Sequence, residues 1–157
     1  MSSKRLQTIK TFIDSVIDLD PEIISPLLAE NYTHYFAPAS LGLAGTRDKQ
    51  GTLASIARLR SVLTRFPLTA KEYIESEGSN QVVVWATSRL VFREDLTDDG
   101  EKWEQEGEYV FMFTLDESGE KIVRNVEFLD SIKVGELFGL IKRAEENKEK
   151  REAQGGA

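Results

Sequence analysis

The side chains of this chain best suited to moving a proton are His34, Glu127 and Tyr109, with Asn125 as a neutral partner. His34 is the one histidine in the sequence, and an imidazole is the side chain whose ordinary titration falls near neutrality. It sits in Tyr32-Thr33-His34-Tyr35-Phe36, where the plainer reading is a packed, hydrogen-bonded core histidine. Glu127 lies between Val126 and Phe128, an unusual place for a carboxylate unless it is paired or used. A carboxyl group in apolar surroundings makes a credible acid or base near neutral pH. The alternative is a salt bridge, with Arg89 or Arg124 as partner. Tyr109 offers a phenolic donor within an apolar run, or else a core aromatic with its hydroxyl satisfied at the rim. Asn125 could orient a substrate carbonyl or bond a neighbouring backbone group.

Composition narrows the chemistry. The 157 residues include no cysteine, which removes disulfides, thiol catalysis and thiolate metal sites. One histidine cannot build a multi-histidine zinc or iron centre. P-loop, dinucleotide-glycine, Gly-x-Ser-x-Gly and EF-hand patterns are missing from the sequence. No cofactor and no metal are therefore expected. The net charge of −7 opposes binding to a phosphate backbone. Residues 67–132 carry 16 acidic against 6 basic side chains, which reads first as a solvated sheet face. No apolar run spans a bilayer, and Met1 to Lys10 has no signal-peptide core. The expectation is a cytoplasmic protein with neither nucleic acid nor membrane as partner.

The elements that must carry these residues follow from periodicity. Leu6, Ile9, Phe12, Ile13, Val16 and Ile17 recur at helical spacing. Asp20-Pro21 restarts a short helix bearing Ile23, Ile24, Leu27 and Leu28. A short strand follows over residues 32–36, then a loop over 40–45. Leu53, Ile56, Ala57, Arg60 and Leu63 mark a third helix, stopped near Phe66-Pro67. Four strands are predicted beyond it, at about 69–77, 81–94, 102–115 and 121–130, separated by turn-forming residues. Short turns make them an antiparallel meander. Alternation puts Trp103, Gln105, Gly107, Tyr109, Phe111 and Phe113 on one face and Glu104, Glu106 and Glu108 on the other. Val110, Met112 and Thr114 continue that second face, an available surface for self-association. A last helix starts near Ser131. Residues 1–142 form one domain, and residues 143–157 a charged helical extension or tail.

This order predicts an α+β fold, with three N-terminal helices on a curved antiparallel sheet and a C-terminal helix. It resembles the cone-shaped fold of the nuclear-transport-factor-2-like (NTF2-like) superfamily. The segments Thr33-His34-Tyr35-Phe36-Ala37-Pro38-Ala39-Ser40-Leu41-Gly42 and Glu127-Phe128-Leu129-Asp130-Ser131 resemble fungal SnoaL-like proteins. The resemblance implies a small isomerase or cyclase of secondary-metabolite biosynthesis, with dehydration as a related outcome. A hydrophobic polycycle would sit in an apolar cone while inward acid and base groups move protons. By analogy with the ketosteroid-isomerase branch, Asn125, Glu127 and Leu129 face inward, while Ile122, Arg124, Val126, Phe128 and Asp130 face out. The opposite parity would make Asp130 the pocket acid. The catalytic set is then His34, Glu127, Tyr109 and Asn125. The substrate walls are Phe12, Tyr32, Phe36, Trp85, Trp103, Gln105, Phe111, Phe113 and Leu129. The resemblance also implies a homodimer through the outer sheet face. The competing expectation is a non-catalytic protein of the same fold that binds a ligand or dimerises.

Overall fold

The computed structural model describes residues 2–43 and 45–155. Helix α1 (Lys4–Ser15) is capped by Ser3, whose Oγ accepts from the Leu6 amide, and it buries Ile9, Phe12 and Ile13. Helix α2 (Pro21–Ile24) is a single turn capped by Asp20. Strand β1 then runs from Leu28 to Ala37, ten residues long. The sequence predicts only its middle, and Leu28 belongs to this strand rather than to the preceding helix. The missing signal is tertiary: β1 is held by a parallel ladder to the last strand, and no local pattern reveals that partner.

Strand β2 (Thr46–Asp48) folds back on β1, and Asp48 caps helix α3 (Lys49–Arg60) by accepting from the Gly51 amide. Leu63, predicted as helical, instead begins strand β3 (Leu63–Arg65). Strands β4 (Leu68–Ser76), β5 (Gln81–Phe92), β6 (Gln105–Leu115) and β7 (Ile122–Leu129) form the meander, each pair antiparallel. The sheet order is β2-β1-β7-β6-β5-β3, with β4 also on β5. It is a curved, unclosed mixed sheet, with helices against its concave face. The charged segment 143–155 is helical throughout, as part of α4 (Ser131–Gly155).

Two apolar clusters fill the concave side. One packs α1 against Val82, Val84, Phe111 and Phe113. The other joins Leu19, Val62, Leu90 and Phe92 to Leu137, Leu140 and Ile141 of α4. Polar contacts extend the docking of α4. Arg143 Nε donates to Asp98 Oδ2 at 2.8 Å, and Asn147 Nδ2 donates to Leu96 O at 2.8 Å. The Arg143 guanidinium and the Asn147 amide hold the Asp98 carboxyl down at about 2. A carboxyl depressed by folding adds its stability above its unfolded value and loses it as pH falls through the folded one. Asp98→Asn is therefore expected to lower the thermal midpoint near neutral pH. In melts followed by circular dichroism, its gap from wild type should close as pH falls from about 4 to about 2.

Candidate active site

Strand pairing brings the site together. In β1, His34 is the partner of Arg47 on one side and of Asn125 on the other, and Asn125 is the partner of Phe113. Two residues along, Phe36 pairs with Glu127, which pairs with Phe111. Paired positions share a face, so these two rows lie together on the concave side. Asn125 and Leu129 are buried, and the Glu127 side chain is 18% exposed. Ile122 departs from the expected outward set: a register shift between Thr114 and Leu115 turns it into the core. Asp130 points away from the site, its Oδ1 accepting from the amides of Ile132 and Lys133 at the start of α4. It is not the pocket acid.

Glu127 faces a cavity of about 460 Å³ bounded by the sheet, α3 and α4. Phe36, Tyr109 and Leu129 form its sheet side, with Phe66 of the β3–β4 link and Arg47 of β2 beside them. Ser55, Arg58 and Leu59 come from α3, and Val134, Leu137, Phe138 and Ile141 from α4. At the rim, Arg58 donates to both Glu145 oxygens, at 2.6 and 2.9 Å, joining the two helices. That contact raises the Arg58 pKa and lowers the Glu145 pKa. A larger groove of about 760 Å³ lies between α4 and the 98–105 segment. Its walls are mostly charged side chains, several already paired with one another, so it is solvated surface. Carboxylate and phenol meet in the apolar cavity instead.

Behind Glu127 lies a buried relay. His34 Nε2 is 3.3 Å from Glu127 Oε1, within ion-pair range but out of line for a hydrogen bond. Its Nδ1 is 2.8 Å from the Tyr32 hydroxyl. Burial pushes the Tyr32 pKa well above its ordinary value, and the Glu127 charge adds to the rise. A phenol that keeps its proton donates to Nδ1, which puts the imidazole hydrogen on Nε2, the nitrogen nearer the carboxylate. This tautomer is assigned from the contacts. Tyr109 is likewise raised, first by burial and also by the Glu127 charge, against the hydrogen bond of Ser88. Its hydroxyl lies 2.8 Å from Ser88 Oγ. Gly107 permits this approach, because a Cβ there would meet both hydroxyls inside contact distance.

The structure sorts the predicted residues into four groups. Glu127, Tyr109, Phe36 and Leu129 line the cavity. His34, Tyr32 and Asn125 form a layer that is not among its lining residues, and both Asn125 amide atoms lack a hydrogen-bond partner among the described residues. Phe111 and Phe113 stack behind the wall, with Phe12 edge-on to Phe113 at 5.3 Å. The remaining predicted wall residues are corrected. Trp85 is 42% exposed on the convex face, where its Nε1 donates to Glu108, because its β5 neighbours Val84 and Ala86 take the inward parity. Trp103 precedes β6 and packs on Phe92 in the second cluster. Gln105 is buried at the start of β6, donating to Lys133 O at 2.8 Å. The expected arginine partners of Glu127 are engaged elsewhere, Arg89 with Glu106 and Arg124 over the Tyr35 ring.

Arg47, Ser55, Ser88, Phe66 and the α4 face were missed. Ser88 follows from the β5 alternation that buries Val82, Val84 and Ala86. Arg47 had no such signal, since a three-residue strand carries no period. His34 lies behind Glu127 rather than on the cavity wall. If it positions Glu127, His34→Gln is expected to lower kcat about tenfold to a hundredfold while KM stays nearly unchanged. An unchanged kcat in stopped-flow rates would make His34 a packing residue.

No protein-family model matches the chain. It is 26% identical over 126 residues to "Austinoid biosynthesis cluster protein H" of Aspergillus calidoustus, covering 80% of this chain and 82% of that one. Among solved structures it is similar to the BvnE pinacolase of Penicillium brevicompactum, with a TM-score of 0.76 at 20% identity over 90% of this chain and 96% of that one. The "Putative SnoaL-like polyketide cyclase" structure from Shewanella denitrificans OS-217 gives 0.68 at 13% identity, covering 84% and 94%. The fold is SnoaL-like and NTF2-like, and the sequence similarity runs to a protein of a fungal biosynthesis cluster.

Proposed function

We propose that this protein is an isomerase or cyclase that rearranges a hydrophobic polycyclic natural-product intermediate by acid–base chemistry, without a cofactor. The observation that carries this reading is a carboxylate on the wall of an apolar cavity, beside a phenol that retains its proton. The Glu127 carboxylate takes a proton from a carbon next to a carbonyl, and the electron pair moves onto the carbonyl oxygen. The Tyr109 hydroxyl donates a hydrogen bond to that oxygen as it gains charge. Bond migration or ring closure follows, and Glu127 returns its proton to the product, so atoms balance and no redox partner is required. His34 steadies Glu127 Oε1, and Tyr32 fixes the imidazole tautomer. The apolar side chains of α4 and β7 keep water from the reacting centre.

The test is incubation of purified protein with an extract of the producing organism, followed by liquid chromatography and mass spectrometry. Isomerisation or cyclisation moves a peak without changing its mass, and dehydration removes one water. A compound that co-purifies with the protein but emerges chemically unchanged would support the alternative, a non-catalytic ligand carrier of the same fold.

The convex face supports a homodimer. Ile74, Val83, Met112, Val126 and Tyr35 align in one row of strand partners, and Trp85, Val110 and Phe128 in the next. Six of these are large exposed apolar side chains other than Val83 and Val126. A two-fold contact would bury the same rows on both copies. Met112→Glu combined with Phe128→Glu is expected to convert a dimer into a monomer in sedimentation velocity, with the fold retained. A wild-type monomer at about 100 μM would contradict the dimer.

A further inference from the structure

The cavity holds a cation that the acid–base scheme does not use. Arg47 reaches the concave side as the strand partner of His34, and its guanidinium carbon lies 4.8 Å from the centre of the Phe36 ring. Its Nη1 donates to Ser55 Oγ at 2.7 Å, and Ser55 in turn donates to Gly51 O in α3. Arg47 is thus clamped between an aromatic face and a helix hydroxyl, yet no carboxylate lies within ion-pair distance of it among the described residues. Leaving a partly buried guanidinium without a counter-ion is costly unless something else supplies the charge. The other charges at the cavity are differently placed. Glu127 is against His34, Arg58 is spent on Glu145, and Lys142 is exposed to water.

We propose that Arg47 is the specificity-determining residue of this cavity and binds an anionic oxygen of the substrate, a carboxylate or an enolised dicarbonyl. The assignment rests on the cavity being the substrate chamber. A planar guanidinium already fixed through Nη1 presents its remaining N–H donors as a fork that fits two oxygens. Phe36 lies under Arg47 and is the strand partner of Glu127, so a ligand anchored there places its neighbouring carbon toward the carboxylate. The substrate class becomes narrower: an apolar polycycle with an acidic oxygen, not a neutral terpene or steroid alone. The same anchor would let an anionic substrate enter past the acidic side chain of Glu127.

The test uses two probes of matched shape, 9-anthracenecarboxylate and 9-anthracenemethanol, titrated by fluorescence anisotropy against wild type and Arg47→Met. Wild type is expected to bind the carboxylate about tenfold more tightly than the alcohol. Arg47→Met is expected to abolish that preference while its affinity for the alcohol stays within about twofold, and Arg47→Lys to restore part of it. Equal binding of the two probes by wild type, or a preference that survives Arg47→Met, would overturn the role of Arg47. If Arg47→Met does not fold, Arg47→Gln, which keeps a polar side chain for Ser55 but not the charge, is read in its place with the same expected and overturning results. Failure of both probes to bind would count against the cavity as a ligand chamber, and so against the proposed function as well.

Discussion

Replacing Glu127 with glutamine is expected to lower turnover by about 10²–10⁴-fold, the share that a positioned general base contributes. The amide keeps the size and the polar contact to His34 but cannot accept the proton. Because Glu127 is only 18% exposed and its neighbours Phe36, Phe111 and Leu129 are unaltered, the fold should persist. The thermal midpoint is then expected to stay within a few degrees of wild type, while kcat and kcat/KM fall together. That pattern belongs to an interaction made in the transition state. A rise in KM with kcat preserved would instead make Glu127 a binding group. The readout is the rate of peak conversion in the chromatographic assay.

Tyr109→Phe carries the second large effect. Removing one donor aimed at a developing oxyanion costs about 2.7–4 kcal/mol, a loss of about 10²–10³-fold in kcat. The phenol is buried, and burial together with the Glu127 charge holds its proton above the ordinary titration range of tyrosine. Activity should therefore show no loss from phenol ionisation up to about pH 10. Ser88→Ala separates the donor from its support: it leaves the Tyr109 hydroxyl but removes its 2.8 Å partner, so a smaller loss is expected. If Tyr109→Phe retains full kcat, the oxyanion is held elsewhere, and Arg47 is a cavity-lining donor able to hold it.

Much of this arrangement was legible in the amino-acid order, for reasons that can be named. Strand alternation placed Tyr109, Phe111 and Phe113 inside and Glu104, Glu106 and Glu108 outside, because a pleated strand exchanges faces at each residue. The same rule, joined to the family resemblance, put Asn125, Glu127 and Leu129 inward. It failed at Ile122, where the shifted register inserts an extra residue that no pattern announces. Trp85 was misassigned because an indole is apolar enough to suggest a wall, although the parity of Val82, Val84 and Ala86 already excluded it. The tertiary layer was the least legible. That His34 stands behind Glu127 and Arg47 beside His34 depends on the pairing of β1, β2 and β7, and that α4 closes the cavity depends on its packing against the second apolar cluster. A residue's chemistry can be read from its type, but its depth relative to a cavity wall cannot.

Stalling the first proton transfer gives direct access to the bound reactant. The most direct measurement is a crystal structure of Glu127→Gln grown with the substrate fraction, in which an unreacted ligand should be retained. The expected result is a polycycle filling the chamber under α4, with one oxygen at hydrogen-bond distance from Tyr109 Oη and a carbon about 3–3.5 Å from the side-chain oxygen at position 127. A ligand bound on the convex face, or one inside the chamber whose nearest atoms leave position 127 untouched, would contradict the assignment of Glu127 as the base.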